Sequence, residues 1–209
     1  MWRTRRRSEA IKQGVKGRVY LTSEQAAAAA HQFGCARFVY NHLLAFSQSR
    51  YVHKIKTSAT QRSLELTRLK TEIPWLQEVN AQSLQQTGRA LDTAYKNWFD
   101  SLTGKRPDQV NPPQFKKKSK RQSARFTKGS FRFKDDTLRL SKIGDLHIPW
   151  YRRVKGEPSS VVLSRTPPKN PPPLGVGSLN EEAIQMLPQL PARESGAELA
   201  GSLQPDSIH

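Results

Sequence analysis

The sequence predicts an α+β fold: a short strand and a run of helices over the first hundred residues, a meander of short strands after residue 130, and a disordered tail. Three observations carry this. Apolar residues recur at three- and four-residue intervals up to about residue 102, and from Ser130 the period changes to two. After Arg165 aromatic residues vanish, and eight of the 14 prolines lie beyond residue 166.

Gly14–Leu21 (GVKGRVYL) ends in Val19, Tyr20 and Leu21 and predicts the first strand. Thr22 and Gln25 have capping-box spacing, in which the hydroxyl takes the third helical amide and the amide side chain reaches back. Ala26–Ala30 then propagates a helix, which Gly34 is expected to break. A second helix runs from about Cys35 to Tyr51, with Phe38, Val39, His42, Leu43 and Phe46 on one stripe. A third covers Ala59–Lys70 and ends before Pro74. Trp75 and Leu76 are expected to staple the next turn to the core. The strongest helical pattern is Asn80–Leu102, where Asn80 can cap. Leu84, Leu91, Tyr95, Trp98 and Phe99 share its core face, opposite Gln85, Arg89, Asp92 and Lys96. Gly88 either admits a neighbouring backbone or is incidental. The helix stops at Gly104, and a Pro-containing loop runs to Pro113.

Phe131–Lys134, Leu138–Ser141 and Leu146–Ile148 alternate between apolar and polar residues, with turns at Asp135-Asp136 and Gly144-Asp145. Ser160–Leu163 adds a further strand. Phe131 and Phe133 share a face of their strand and are expected in the core. Thr166–Gly177 (TPPKNPPPLGVG) opens the tail, in which Glu181–Leu187 has the pattern of a helical turn at most. The tail lacks the apolar surface needed to offset its chain entropy.

The 209-residue chain carries a formal charge of +18, unevenly spread. Residues 1–165 hold 33 Lys or Arg against 12 Asp or Glu, a formal +21; residues 166–209 hold 2 against 5, a formal −3. The basic part has the composition of a polyanion binder. No apolar run approaches the roughly 20 residues of a spanning helix, and Met1–Arg7 lacks a signal-peptide core. No membrane partner is therefore expected, and the localisation expected is cytoplasmic with nucleoid association. Cys35 is the single cysteine, which excludes an intrachain disulfide and a cysteine-type zinc site. The five histidines show no metal-ligand spacing.

Gln109–Lys134 (QVNPPQFKKKSKRQSARFTKGSFRFK) holds nine Lys or Arg, four Phe and no acid. Cations neutralise phosphates and rings stack on bases, so the stretch points to nucleic acid. Its candidate contacts are Phe115, Lys116, Lys117, Lys118, Lys120, Arg121, Arg125, Phe126, Lys128 and Arg132. Phe115 and Phe126 are the stacking candidates. Arg37, Tyr40 and Asn41 lie close together on the second helix, where Phe38 and Val39 are expected in the core. Arg89 and Lys96 lie on the polar face of the long helix. No Gly-rich phosphate loop, nucleophile–base pair or metal cluster is visible. Asp135 and Asp136 are adjacent at a turn and fit turn chemistry better than a two-metal site. No catalytic residue is assigned.

The blocks RVYLTSEQ (18–25), FGCARFVYNHLL (33–44), PWLQEVNAQSLQQTGRALDTAYKNWF (74–99), PPQFKKKSKRQSARF (112–126) and LRLSKIGDLHI (138–148) occur in the order found in the amino-terminal half of the TnpB (OrfB) proteins of bacterial insertion sequences. The chain resembles that family over about residues 15–165. The resemblance implies an RNA-guided DNA nuclease ancestry, with a helical recognition lobe inserted in a small antiparallel β-barrel; this half is also described as a helix-turn-helix transposase domain. It divides the chain into a basic arm (1–14), a first barrel strand (15–21), the helical lobe (22–104), a basic linker with barrel strands (105–165) and a disordered Pro-rich tail (166–209). The partners implied are DNA and guide-type RNA, held through their backbones; the oligomeric state is not legible.

The pattern departs after residues 161–167 (VVLSRTP). The family continues with a strand and a block bearing the first catalytic aspartate of a RuvC-like domain. Here PKNPPPLGVGSLNEEAIQML follows, without the catalytic acids or the paired CxxC motifs. The expectation is a truncated nucleic-acid binder without nuclease activity and without the family's magnesium and zinc cofactors. The alternatives are a freestanding helix-turn-helix regulator and an active transposase or RNA-guided nuclease.

Overall fold

A computed structural model describes residues 14–134, 137–148 and 158–166, and the backbone of 181–188. The basic arm, the Asp135-Asp136 turn and most of the tail lie outside the described residues. Among the described residues are three helices, α1 (Ser23–Val52), α2 (Ala59–Glu72) and α3 (Ala81–Leu102), with a 3-10 turn at Pro74–Gln77 between α2 and α3. Seven strands accompany them: β1 (Val15–Tyr20), β2 (Gln122–Thr127), β3 (Phe131–Lys134), β4 (Thr137–Leu140), β5 (Gly144–His147), β6 (Pro158–Arg165) and β7 (Glu181–Pro188).

The expected break at Gly34 is absent, and α1 continues through it for 30 residues. A methyl group at Gly34 would meet nothing within 4 Å, so the glycine is an intrinsic weakness and not a packing device. The helix survives because its two ends serve different cores. Ala29 and Phe33 are buried among strands, whereas Val39, Tyr40, Leu43 and Leu44 are buried against α2 and α3. Tertiary burial outweighs the roughly 1 kcal/mol helix penalty of one glycine. The capping box forms as expected: Gln25 N–H donates to Thr22 Oγ1 at 3.3 Å, and Thr22 N–H to Gln25 Oε1 at 3.1 Å. Gln25 Nε2 also donates to the Asp145 carbonyl at 2.8 Å, tying the start of α1 to β5. A second capping box, Ser58 with Gln61, starts α2. Asn80 caps α3, and its own N–H donates to the buried Gln32 of α1 at 2.9 Å. The nearest atom to a methyl at Gly88 would be Leu43 Cδ1 at 3.6 Å, so a side chain and not a backbone faces that glycine.

The strands form two antiparallel sheets, β1-β7-β6-β2 and β3-β4-β5. Both contribute to one core: Val19, Phe126, Leu138, Leu140, Leu146, Val161 and Leu163, closed over by Ala29 and Phe33. Two expectations are corrected here. The ladders among the described strands do not close into a barrel, because side-chain packing and not a hydrogen-bond ladder joins the two sheets. Within the expected tail, Glu181–Pro188 is neither a helical turn nor disordered; it lies as β7 between β1 and β6, with Gly17 and Leu163 both opposite Ile184. Composition underestimates such a segment, since one strand inserted between two others completes two ladders at once. β2 is an addition to the expected strands, hidden inside the basic stretch.

Candidate nucleic-acid interface

The site grows from the period-two geometry of β2. Ala124 and Phe126 point inward and are buried, while Ser123 and Arg125 point outward. Facing them is a stripe of α3, Gln86, Arg89, Ala90 and Thr93, at helical spacing. Between the two lies a groove of about 410 Å³ whose cations are Arg89, Lys116 and Arg125. Lys116 and Ser123 also line a smaller adjoining groove with Arg37, Lys117, Arg121 and Gln122. No Asp or Glu lines either groove. Cations and hydroxyl groups without acids form a surface that accepts phosphates.

The linker that carries Lys116–Lys120 is pinned in place. The Asn41 side chain grips the Lys116 backbone from both sides, its Nδ2 donating to the carbonyl at 3.0 Å and its Oδ1 accepting the N–H at 2.8 Å. Arg37 donates to Gln122 Oε1 at 3.3 Å, and Gln122 Nε2 to the Lys118 carbonyl at 2.9 Å. Arg121 donates to Ser164 Oγ at 3.2 Å, tying the linker to β6. The Lys116 ammonium sits 4.0 Å from the Tyr40 ring centroid, a cation–π contact. Lys116 is exposed as a residue, yet lost hydration at this contact lowers its pKa. Burial raises the pKa of Tyr40.

The sequence candidates therefore separate. Arg37, Arg89, Lys116, Lys117, Arg121 and Arg125 come together around the two grooves. Lys118 and Lys120 are exposed on the adjoining linker, as is Phe115. Tyr40 and Asn41 position the linker from below. Lys128 and Arg132 are exposed at the β2–β3 turn and on β3, outside both grooves, and Lys96 lines a different groove further along α3. Phe126 is corrected: it is wholly buried in the sheet core, because its place on β2 turns it inward. Phe133, expected in the core, is 36% exposed because β3 is the edge of its sheet. On α3 the fully buried stripe ends at Leu91, Tyr95 packs half-buried against the same core, and Phe99 is 51% exposed. Sequence reasoning missed Gln86, Thr93 and Ser123; the 86-89-93 spacing is the available signal.

A second polar cluster links α1 to α2. His42 Nε2 lies 2.8 Å from Glu65 Oε1, and Arg68 donates to both Glu65 oxygens at 3.0 and 3.1 Å. Burial would raise the Glu65 pKa, but Arg68 and His42 outweigh it and hold the carboxyl below its usual range. Burial pushes the Cys35 thiol up to about 11. No described helix is long and apolar enough to cross a membrane.

A family model described as a helix-turn-helix domain, of the OrfB type, matches residues 10–56. The described part of that match folds as β1, the single continuous helix α1 and the residues up to Lys56. A Streptomyces pristinaespiralis protein named "Putative RNA-guided DNA endonuclease" is 36% identical over 162 residues. The match covers 74% of this chain and 39% of the relative. The match at residues 10–56 and this longer similarity identify the chain as an amino-terminal region of the TnpB (OrfB) family.

Proposed function

We propose that this chain binds nucleic acid through the basic grooves between α1, α3 and β2, holding DNA, guide-type RNA or their heteroduplex without cutting it. The observation that carries the reading is the convergence of Arg89, Lys116 and Arg125, from two elements and a pinned linker, on one groove with no acid in its lining. The relative's name supplies the substrate classes. The absence of cutting is supported by the sequence departure after residue 167. The same departure supports reading the chain as a truncated copy. An intact RuvC-like frame immediately downstream at the locus, one base out of register, would make the departure a frameshift, and finding none would remove that version.

Binding measured against salt tests the site. Arg89→Ala and Arg125→Ala should each weaken binding across all sequences and lower the log–log salt slope by about one unit. Unchanged slopes in both variants would move the interface elsewhere. Magnesium-dependent cleavage of DNA by the chain with guide RNA would overturn the non-cutting part and restore the nuclease reading. The helix-turn-helix family match favours a second reading, a freestanding regulator. Footprinting on the element's ends without RNA separates the two, since a regulator protects a defined site.

A further inference from the structure

The carboxy-terminal end of the helical half carries an open groove of about 860 Å³ that phosphate binding does not explain. Tyr51 and Val52 from α1, Trp98 and Phe99 from α3, and Pro112-Pro113 form its apolar walls. Tyr51 is 80% exposed and Val52 77%. Apolar groups grouped in this way on a surface mark a binding site. The rings are arranged in series: Tyr95 and Phe99 lie 6.3 Å apart with planes 19° from parallel, and Trp98 lies 4.8 Å from Phe99.

Two features select the occupant. The first is charge. Lys56 and Lys96 line the groove, and its one acid, Asp92, is paired with Arg62, whose guanidinium lies 5.3 Å from the Tyr95 ring centroid. The lining is therefore net cationic, and a second copy of this chain would bring a further formal +18 against it. The second is continuity. Pro112-Pro113 lead within two residues to Phe115 and then to Lys116–Lys118, so the groove abuts the basic linker in the chain. Cations beside exposed rings take a polyanion that also has flat apolar faces.

We propose that this groove is a base-stacking site for an unpaired stretch of nucleic acid whose phosphates follow the basic linker. Paired bases present only their edges, so a duplex cannot use the rings. This rests on the nucleic-acid reading above, and the test separates the two. The full chain is titrated with labelled oligo-uridine, oligo-thymidine and a duplex of equal length. Tyr51→Ala and Phe99→Ala, both at exposed positions, should leave the thermal midpoint in place and weaken single-strand binding by roughly tenfold each, the effect of one lost base stack. Duplex affinity should stay within about twofold and the salt slope should not change, because no phosphate contact is removed. The uridine and thymidine arms tell an RNA strand from a DNA strand. Equal weakening on duplex and single strand, or no weakening on either, overturns the groove proposal while leaving the nucleic-acid reading intact. A wild-type chain that binds none of the three overturns both. Sedimentation showing a dimer that Phe99→Ala dissociates would assign the groove to a second copy and overturn the proposal.

Discussion

The helical half and the sheet half of this molecule are built on different principles. α1, α2 and α3 follow one another closely, two of them start in capping boxes, and they share a core of neighbouring segments. The four-stranded sheet instead collects segments from residues 15, 122, 158 and 181 onward, and β1 pairs with no strand in it except β7. Local segments can specify themselves, whereas a sheet of distant segments is specified only by mutual fit. The basic grooves lie where these halves meet, on α3 from one and β2 from the other. The binding surface thus depends on the half that is harder to assemble.

Four experiments sharpen or break that contrast. The largest effect is expected from Phe126→Ala. Its ring is wholly buried in the sheet core, so unfolding free energy should fall by about 3–5 kcal/mol in urea titrations. Phe115→Ala in the same linker-and-strand region should change it by under about 0.5 kcal/mol. A change at Phe126 as small as that at Phe115 would mean that β2 does not turn Phe126 inward as described. Next, Ile184→Pro in β7 removes a ladder donor between β1 and β6 and should cost roughly 2–3 kcal/mol. Hydrogen exchange should show lost protection in β1, β6 and β7 before α2 and α3. Simultaneous loss everywhere would show that the two halves form one cooperative unit.

A smaller effect concerns acid. Glu65 has a lowered pKa in the folded chain, so its contribution is present above the unfolded carboxyl value and is lost as pH falls through the lower folded value. Glu65→Gln should flatten the acid limb of stability below about pH 4.3. An unchanged limb would place the acid sensitivity outside the α1–α2 link. The smallest effect, and the one stabilising change, is Gly34→Ala. A methyl there meets open space, and the thermal midpoint should rise in step with a gain of about 0.5–1 kcal/mol. A fall would show that the two ends of α1 need slack between them.

Most of the helical half was legible in the sequence. The Thr22–Gln25 box, the Asn80 cap and the buried Val39, Leu43, Leu84 and Leu91 follow from spacing, because a helix satisfies its backbone within itself. Gly34 misled for the complementary reason: propensity describes a helix alone, and this one is held at both ends by different cores. The sheet half was legible only as alternating runs. Period two says that successive residues oppose each other, but neither which face is buried nor how far the core reaches, so Phe126 was placed on the wrong face and Phe133 too deep on an edge strand. By itself the sequence determined the charge asymmetry, the family and the caps that start α1 and α3. The tertiary structure alone decided that residues 181–188 join the sheet, that Asn41 holds the linker and that the outer rings of α3 stay exposed. Each of those depends on groups far apart in the chain meeting in space, a distance that no local pattern encodes.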